Sequence, residues 1–388
     1  MKNILLLLPI LFSVFQSVPA PDAVPASPVL QTGTEPAAGS VVCVPGIYAT
    51  PPDDCLPLGP SAHIARQIEA GIPYPQTALP AFTPPASLNQ VPYQYFKVND
   101  SGISLFNSLD AAISNQGPAR SLAPGILYVS YTGRADTDQG IFYQLRSGLW
   151  IRADGARLGL SAFQGLQFSS QPEYSFGWVL GEIRSRTAPG FSAPETGRTW
   201  YRYNVVQVYA IQEAEGNTWL LIGPDEWLDY RHVARVDPKN SPPESIPSSR
   251  WIEVNLDEQT LAVYQDNRLV FATVVASGVE PFWTRPGIFQ IYKKKDTETM
   301  SGATAADRSD YYYLEDVPWT MYYDEARAFH GAYWHNSFGY PRSHGCVNLS
   351  LGDSHWLFDW AAVGDYVYVY DPSGRTPTDP SLFGSGAP

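Results

Sequence analysis

The sequence predicts a mainly β protein built of several small domains, and its composition and length lead to this prediction. Proline and glycine supply 35 and 31 of the 388 residues, and both favour turns over long helices. Aromatic residues make up 13% of the chain and charged residues only 16%, a balance that suits strands better than solvent-exposed helices. A chain of this length has room for two or three domains.

The first twenty residues have the layout of a secretory signal. One lysine precedes an apolar run over residues 4–15, and small residues then lead to a cleavage position after Ala20. The run is too short to span a bilayer comfortably, and an uncleaved membrane anchor is the alternative interpretation. We therefore expect residues 1–20 to be a signal peptide and the rest of the protein to be exported.

Residues 21–87 are rich in proline, alanine, threonine and serine, which predicts a stalk with one short helix over residues 61–70. Cys43 and Cys55 lie close together in this stretch, where the chain has little means of building a core. In an exported protein, two such cysteines predict a disulfide. Cys346 is then an unpaired thiol in an oxidising compartment.

Two later regions, residues 90–160 and 175–237, share one arrangement of strands. In each, an alternating strand meets an acidic turn that contains glycine, a second strand follows, and a tryptophan comes next, at Trp150 or Trp227. This internal repeat resembles bacterial SH3-like domains, small β-barrels that often accompany cell-wall enzymes. We expect two such β modules, followed by a proline-rich linker over residues 238–249.

Residues 250–371 form the predicted C-terminal domain. Its first three strands alternate in hydrophobicity over residues 251–256, 261–265 and 269–276, and polar turns separate them. A helix and a last alternating strand, DYVYVY, close the domain, and residues 372–388 are expected to be a loose tail.

The overall charge excludes one class of partner. The formal net charge is −13, and the longest basic run is three lysines at residues 293–295. An acidic protein without a basic patch repels phosphate backbones, so nucleic acid is not an expected partner.

The stretch HGAYWHNSFGYPRSHGCVNLS, residues 330–350, holds three of the six histidines and Cys346. A cysteine attacks as the thiolate, so it needs a base or a positive neighbour. His330 lies sixteen residues before Cys346 and is the candidate base. The backbone around Gly345 is expected to face a developing oxyanion, and Asn348 to hold polar groups beside the sulfur. Such a set of groups is suited to acyl transfer.

The ordered string His330-Gly331 followed by Ser343-His344-Gly345-Cys346-Val347-Asn348 resembles the signature of the L,D-transpeptidase catalytic domain family. The resemblance extends over about residues 250–371, roughly a third of the chain. It implies a β-sandwich-like domain with a short helix. It also implies that the substrate is the peptide stem of peptidoglycan, attacked by a cysteine at the diamino acid that precedes a terminal D-alanine. An amine of a neighbouring stem would then resolve the thioester and form a cross-link.

The resemblance also assigns roles to individual residues. Cys346 would be the nucleophile and His330 its base, with the Gly331 carbonyl as a candidate partner that orients the imidazole. The residues expected to shape the site are Gly331, Ser343, His344, Gly345 and Asn348, and those expected to bind substrate are Met321, Tyr322, Tyr323 and Arg342. Many members of the family carry arginine where Asn348 stands, so Arg342 and Arg327 are candidates for the missing positive charge.

Several alternatives remain open from the sequence. An L,D-carboxypeptidase would resolve the same thioester with water, and a non-catalytic protein would bind the cell wall through its modules. Cys346 could be a buried structural thiol. A zinc site is the other rival, with candidate ligands at His330, His335, His344, Cys346 and His355. The favoured expectation is a monomeric enzyme without metal or cofactor, associated with the cell wall outside the cytoplasm and acting on stem peptides.

Overall fold

The computed structural model describes residues 41–42, 55–56, 60–98, 101–153, 155–158, 165–303 and 307–383. The chain divides into two units, Met1–Ser61 and Ala62–Pro388. The predicted signal and Cys43 of the predicted Cys43–Cys55 disulfide lie outside the described residues. Within the first unit, strands β1 (Val41–Val42) and β2 (Cys55–Leu56) pair in parallel. No helix among the described residues has the length and hydropathy needed to cross a membrane.

The second unit contains mostly strands. The helices of the described chain are α1 (Pro60–Glu69), α2 (Leu109–Ser114) and α3 (Leu351–Trp360), with 3-10 turns at Ala86–Asn89, Tyr230–His232 and Pro380–Leu382. The strands up to the linker are β3 (Ala81–Phe82), β4 (Gln94–Val98), β5 (Ile103–Leu105), β6 (Arg120–Leu122), β7 (Ile126–Thr137), β8 (Gly140–Leu145), β9 (Trp150–Arg152), β10 (Gly155–Arg157), β11 (Leu166–Phe168), β12 (Ser175–Val179), β13 (Ile183–Arg186), β14 (Glu195–Trp200), β15 (Val205–Val208), β16 (Ala210–Ala214), β17 (Asn217–Gly223), β18 (Glu226–Asp229) and β19 (Val233–Val236). The later strands are β20 (Trp251–Asn255), β21 (Thr260–Gln265), β22 (Arg268–Val274), β23 (Gly287–Gln290), β24 (Lys293–Gly302), β25 (Tyr312–Asp324), β26 (Arg327–Gly331), β27 (Val347–Leu349) and β28 (Tyr366–Tyr370). The prediction of a mainly β fold is confirmed.

A seven-stranded sheet contains the predicted hairpins of the C-terminal domain. Its order is β23-β28-β20-β21-β22-β11-β3, and β20, β21 and β22 pair antiparallel as their alternation predicts. The last strand, β28, returns to lie parallel to β20. The short strand β3, which belongs to the predicted stalk, pairs with β11 at the edge of this sheet. The end of the predicted stalk therefore packs on the folded unit.

A second sheet, of nine strands, crosses the expected domain boundary. Its main path is β10-β4-β7-β25-β26-β27, with β24 beside β25 and with β8 and β9 beside β7. Strands β4 and β7 belong to the first predicted β module, whereas β25, β26 and β27 belong to the C-terminal domain. The link is the parallel pairing of β7 with β25, which joins Ile126 to Tyr312 and Tyr128 to Leu314.

The main core lies between these two sheets. It contains Ile252, Val263 and Phe271 from the seven-stranded sheet together with Met321 and Phe329 from the nine-stranded sheet, all fully buried. Helix α3 adds Leu357 to the same cluster. Burying apolar faces of two sheets against each other produces the layered arrangement expected of a β-sandwich.

The region of the second predicted module has two small sheets of its own. Strands β15, β12 and β19 form one, and β14, β13, β18, β17 and β16 form the other. The predicted hairpin is present, because β16 pairs antiparallel with β17. The corresponding hairpin of the first module, β7 with β8, is also present. The SH3-like character of both regions stays a prediction.

The predicted linker and tail contact the folded core. In the linker, Ile246 is 3% exposed and lies in a cluster with Trp251. In the tail, Phe383 is 8% exposed and its carbonyl accepts a hydrogen bond from Arg327. Single apolar side chains within otherwise polar stretches thus anchor both segments, because their burial removes apolar surface from water.

Candidate active site

A cleft of about 550 Å³ brings together most of the residues that the motif singled out. The motif residues that line it are His330, Arg342, Ser343, His344, Cys346 and Asn348. Its other lining residues are Lys97, Ile126, Tyr128, Val279, Met300, Tyr312, Leu314, Trp334 and Pro341. The cleft therefore lies where the nine-stranded sheet meets the loop that leads into β27.

Cys346 immediately precedes β27 and is 8% exposed. Its sulfur lies 3.8 Å from the carbonyl oxygen of Ala326, on the neighbouring hairpin. Burial raises the pKa of the Cys346 thiol to about 11, although the Arg327 guanidinium acts in the opposite direction. At neutral pH the resting Cys346 side chain is therefore a thiol. The attacking form expected from the sequence is the thiolate.

His330 lies on β26, the strand that pairs in parallel with β27, and its register partner is Asn348. The ring is 2% exposed, and its Nδ1 lies 3.5 Å from the Gly331 carbonyl oxygen, at the outer limit of a hydrogen bond. Burial lowers the pKa of His330 to about 4, so the imidazole is neutral at pH 7. Gly331 packs closely on α3, since a Cβ there would meet Ser354 Oγ at 2.6 Å.

The loop from Ser343 to Cys346 is held by hydrogen bonds on both sides. Ser343 Oγ accepts from the Gly345 N–H at 3.1 Å and donates to the Cys346 carbonyl. Thr284 Oγ1 donates to the Gly345 carbonyl and accepts from the Gly278 N–H, both at 2.9 Å. Gly345 has a φ of +116°, which side chains rarely adopt. Ser343 and Gly345 thus shape the turn, and the Gly345 N–H is already engaged by Ser343.

His344 and Asn348 lie on the cleft wall. The His344 ring stacks on the Tyr312 ring, and the two ring centroids lie 5.7 Å apart. Burial lowers the pKa of His344, and the Asp310 carboxylate acts to raise it. The Asn348 side-chain amide lies 3.0 Å from His335 Nε2 at one end. The other end of that amide is buried and has no hydrogen-bond partner among the described residues. The Asn348 Oδ1 is therefore a buried acceptor that the described residues leave unsatisfied.

The two arginines proposed for the missing positive charge have different positions. Arg342 is exposed and lines the cleft. Arg327 is 2% exposed and does not line it. Its guanidinium bonds Asp324 at 3.1 Å, and that carboxylate also binds Arg285. Arg327 therefore belongs to a buried ion-pair network behind the sulfur, and among these two only Arg342 is placed to meet a substrate.

None of the residues expected to bind substrate on β25 is in the lining of the cleft. Met321 and Tyr323 are 0% and 3% exposed and belong to the main core. The half-buried Tyr322 ring lies 6.1 Å from that of Tyr292. Residues nearer the start of β25, Tyr312 and Leu314, line the cleft instead. The substrate contact expected of Met321, Tyr322 and Tyr323 stays a prediction.

The residues that sequence reasoning missed come mainly from the first predicted module and from β24 and β25. Lys97, Tyr128 and Leu314 line the cleft although they are far from the motif in sequence. No local pattern marks them, because their common position depends on the register between β4, β7 and β25.

The described residues contain no group of three or more histidine, cysteine, aspartate or glutamate side chains placed to hold a metal ion.

Comparison with known proteins agrees with this site. Residues 249–369 match the model of the family described as YkuD, the L,D-transpeptidase catalytic domain. This stretch, about a third of the chain, is what the chain shares with the L,D-transpeptidase catalytic domain family. Cys346 and His330 both fall within it. Three residues that line the cleft, Lys97, Ile126 and Tyr128, lie before the matched range.

Individual relatives share the L,D-transpeptidase domain with this chain. L,D-transpeptidase 1 of Mycobacterium tuberculosis is 36% identical over 114 residues, which covers 26% of this chain and 43% of the relative. The chain thus spans less than half the length of that curated relative. Among solved structures, the L,D-transpeptidase of Stackebrandtia nassauensis is 28% identical, covering 33% of this chain and 58% of its own, with a TM-score of 0.26. The catalytic domain from the E. faecium L,D-transpeptidase is 26% identical, covering 32% of this chain and all of its own, with a TM-score of 0.28.

Proposed function

We propose that this protein is an L,D-transpeptidase that cross-links peptidoglycan stem peptides through a thioester on Cys346. The observation that supports it best is that Cys346 and His330 line one cleft inside a domain that matches this family. Cys346 precedes Val347, whose register partner is Phe329, so Cys346 and His330 lie on neighbouring chain segments about two residues apart along the strand direction.

The first step would be acylation. Neutral His330 accepts the Sγ proton as the sulfur of Cys346 attacks the carbonyl carbon of the diamino acid, and the C–S bond forms. The C–N bond to the terminal D-alanine then breaks, and the proton passes from His330 to that leaving amine. Because thiol and imidazole both start neutral in a buried site, no charged resting pair has to be desolvated.

The second step would be resolution of the thioester. The amine of a neighbouring stem attacks the thioester carbon and loses a proton to His330, the new C–N bond forms, and the C–S bond breaks. The departing sulfur recovers the proton, which restores the thiol. Attack by water instead would release a tripeptide, which is the carboxypeptidase alternative.

We propose further that the protein acts outside the cytoplasmic membrane. The signal-like layout of residues 1–20 supports this, as does the extracytoplasmic location of peptidoglycan. The resemblance of residues 175–237 to SH3-like domains supports a second role for that region, attachment to the wall.

The nucleophile is tested with the Cys346→Ala variant. The wild-type protein, incubated with a tetrapeptide stem that ends in D-alanine, is expected to gain the mass of the acyl group and to release D-alanine. The variant is expected to do neither while keeping its circular dichroism spectrum. Mass spectrometry of the protein and of the products measures both, and dimers rather than tripeptides identify the transpeptidase.

The matched control is Cys346→Ser, which keeps a smaller nucleophile in place and is expected to react at least a hundredfold more slowly, because the alcohol is far harder to deprotonate. If Cys346→Ala still processes the tetrapeptide, the proposed function is wrong.

A further inference from the structure

A second cleft, of about 400 Å³, lies beside the catalytic cleft and is joined to it. Val279 and Pro341 line both clefts, so these two residues form the ridge between them. The ridge is tied to the catalytic loop, because the Val279 N–H donates to the Ser343 carbonyl oxygen at 3.0 Å. Val279 is 41% exposed, which leaves the ridge open to solvent. A ligand in the second cleft can therefore cross directly into the catalytic one.

The second cleft also comes close to the nucleophile. Thr284 lines it, and the Thr284 Oγ1 donates a hydrogen bond to the Gly345 carbonyl oxygen at 2.9 Å. Gly345 is joined to Cys346 by a peptide bond, and the covalent path from that oxygen to the Cys346 Cα adds about 4 Å. The lining of the second cleft therefore begins within about 7 Å of the Cys346 Cα. An extended peptide covers that distance in about two residues.

The two clefts differ in charge. In the part of the chain that the structure describes, no aspartate or glutamate lines the catalytic cleft. The second cleft is lined by four carboxylates and by two guanidinium groups, so its formal charge is negative. The carboxylates are those of Asp257, Glu258, Glu280 and Asp371.

Glu280 is the carboxylate at the junction of the two clefts. It directly follows the ridge residue Val279, and it is exposed. The other three carboxylates already have partners: Asp257 binds Arg375, Glu258 binds Arg235 and Asp371 accepts the Thr376 N–H. Glu280 has no ion-pair or hydrogen-bond partner within the described ranges. Its carboxylate is thus available to a cation that arrives at the ridge.

The proposed reaction requires two peptides at the same time. After acylation the donor stem stays bound to Cys346 in the catalytic cleft, whose volume of about 550 Å³ is typical of a pocket for one small ligand. The second stem supplies an amine, which in water at neutral pH is a cationic ammonium group. A neighbouring cleft with an unpaired carboxylate at its ridge is suited to bind that ammonium group.

We propose that the second cleft is the acceptor site of the transpeptidase and that Glu280 binds the ammonium group of the incoming stem. This inference rests on the proposed function for the donor and the thioester. Glu280 makes and breaks no covalent bond. The bound ammonium group releases one proton to water, and the neutral amine then crosses the ridge and attacks the thioester carbon. His330 accepts the second proton, the C–S bond breaks, and the sulfur recovers that proton.

Binding without turnover tests this inference. The probe is a stem tripeptide that ends in the diamino acid and has no terminal D-alanine to release. Calorimetry compares it with the same tripeptide acetylated on the side-chain amine. We expect acetylation to weaken binding to the wild-type protein about tenfold, as loss of one charge-assisted hydrogen bond predicts. Glu280→Gln is expected to bind both peptides equally, and Glu280→Asp to keep part of the preference because it keeps the charge.

Turnover then separates the acceptor from the donor. With the tetrapeptide as donor and an isotope-labelled tripeptide as acceptor, Glu280→Gln should form the Cys346 thioester within about twofold of the wild-type rate, while KM for the acceptor rises about tenfold. The products should shift from labelled dimers toward unlabelled tripeptide, because attack by water needs no ammonium site. Glu244→Gln is the matched control and should change neither quantity, since Glu244 is an exposed glutamate of the linker outside both clefts.

Each outcome decides the inference. Equal binding of the two tripeptides to the wild-type protein, no binding of either, or an undiminished preference in folded Glu280→Gln would overturn it. So would a wild-type thioester that yields only unlabelled tripeptide, or a Glu280→Gln variant that slows thioester formation as much as dimer formation. If Glu280→Gln unfolds by circular dichroism, a wild-type preference that does not shrink when the salt concentration rises about tenfold overturns it instead. Failure of the proposed function is seen separately, as absence of the Cys346 thioester while the preference for the free amine in binding persists.

Discussion

At the scale of single residues, burial controls the chemistry of the site. It raises the pKa of Cys346 to about 11 and lowers that of His330 to about 4, so both shifts favour the uncharged form. A resting thiolate beside an imidazolium would need the opposite shifts. Because both groups rest uncharged, proton transfer from Cys346 to His330 is favoured during the attack itself.

This pair predicts the pH dependence of acylation. His330 accepts a proton only while it is neutral, so the acylation rate should stay constant from about pH 5 to 10 and fall as the pH drops toward 4. Stopped-flow or quenched-flow measurement of acylated Cys346 by mass spectrometry checks this. A rate that rises severalfold between pH 6 and 8 would contradict the neutral pair.

The role of His330 in that profile is isolated by His330→Gln, which is expected to slow acylation by about 10²- to 10⁴-fold. Its residual rate should follow the thiolate fraction and rise with pH toward 11. His232→Gln, in the turn before β19, is the control and should leave the wild-type profile unchanged.

At the scale of elements, one buried carboxylate joins helix α3 to two other segments. Asp353 is 0% exposed and accepts hydrogen bonds from the Gly165 N–H at 2.7 Å, Thr273 Oγ1 at 2.8 Å and Ser350 Oγ at 2.7 Å. Ser350 also caps the helix, because its Oγ accepts from the Asp353 N–H at 3.2 Å. The helix that supports Gly331 is therefore fixed by a polar network as well as by apolar packing.

This network predicts a large loss of stability on truncation. Asp353→Ala leaves three buried donors without their acceptor, so the free energy of unfolding should fall by about 3 kcal/mol or more. Urea denaturation followed by tryptophan fluorescence measures the change. Asp359→Ala, on the exposed side of the same helix, is the matched control and should change the free energy by less than about 0.5 kcal/mol. Equal effects of the two substitutions would show that the Asp353 bonds do not stabilise the helix.

At the scale of the whole molecule, the active site depends on strand pairing between distant parts of the chain. The parallel pairing of β7 with β25 places Tyr128 and Lys97 beside a cleft whose nucleophile is more than two hundred residues away in sequence. The shape of the cleft and the stability of the fold are therefore coupled, because both need the nine-stranded sheet to remain intact.

Buried histidines predict how the stability of the whole molecule changes with pH. Burial lowers the pKa of His335 to about 3 in the folded state, against about 6.5 in an unfolded chain. Below pH 6.5 the unfolded state binds more protons, so this residue makes the free energy of unfolding fall as the pH falls. The raised pKa of Glu258, about 7, acts in the opposite direction, so the useful observable is a difference between variants.

We expect the stability of the wild-type protein relative to His335→Gln to fall by about 1.4 kcal/mol per pH unit between pH 6 and 4. Urea denaturation at several pH values measures the difference. A constant difference across this pH range would mean that His335 is not kept neutral by the fold.

Much of the fold could be predicted from the sequence because strand alternation is a local property. The three opening strands of the C-terminal domain, the helix that carries Trp356 and the last strand all lie where the pattern predicts them. The motif likewise predicted six residues of the cleft lining, since short stretches around β26 and β27 carry them. The substrate contact expected of Met321 and Tyr323 stays a prediction, and both side chains lie in the main core.

The sequence by itself determined that the chain is mainly β, that its C-terminal third resembles one family, and that Cys346 and His330 are its candidate nucleophile and base. These depend on local alternation and on a short ordered motif. Only the tertiary structure decided the protonation of that pair and the wall that Lys97 contributes. The physical reason is that burial and sheet register arise from contacts between residues far apart in the chain, which no local pattern records.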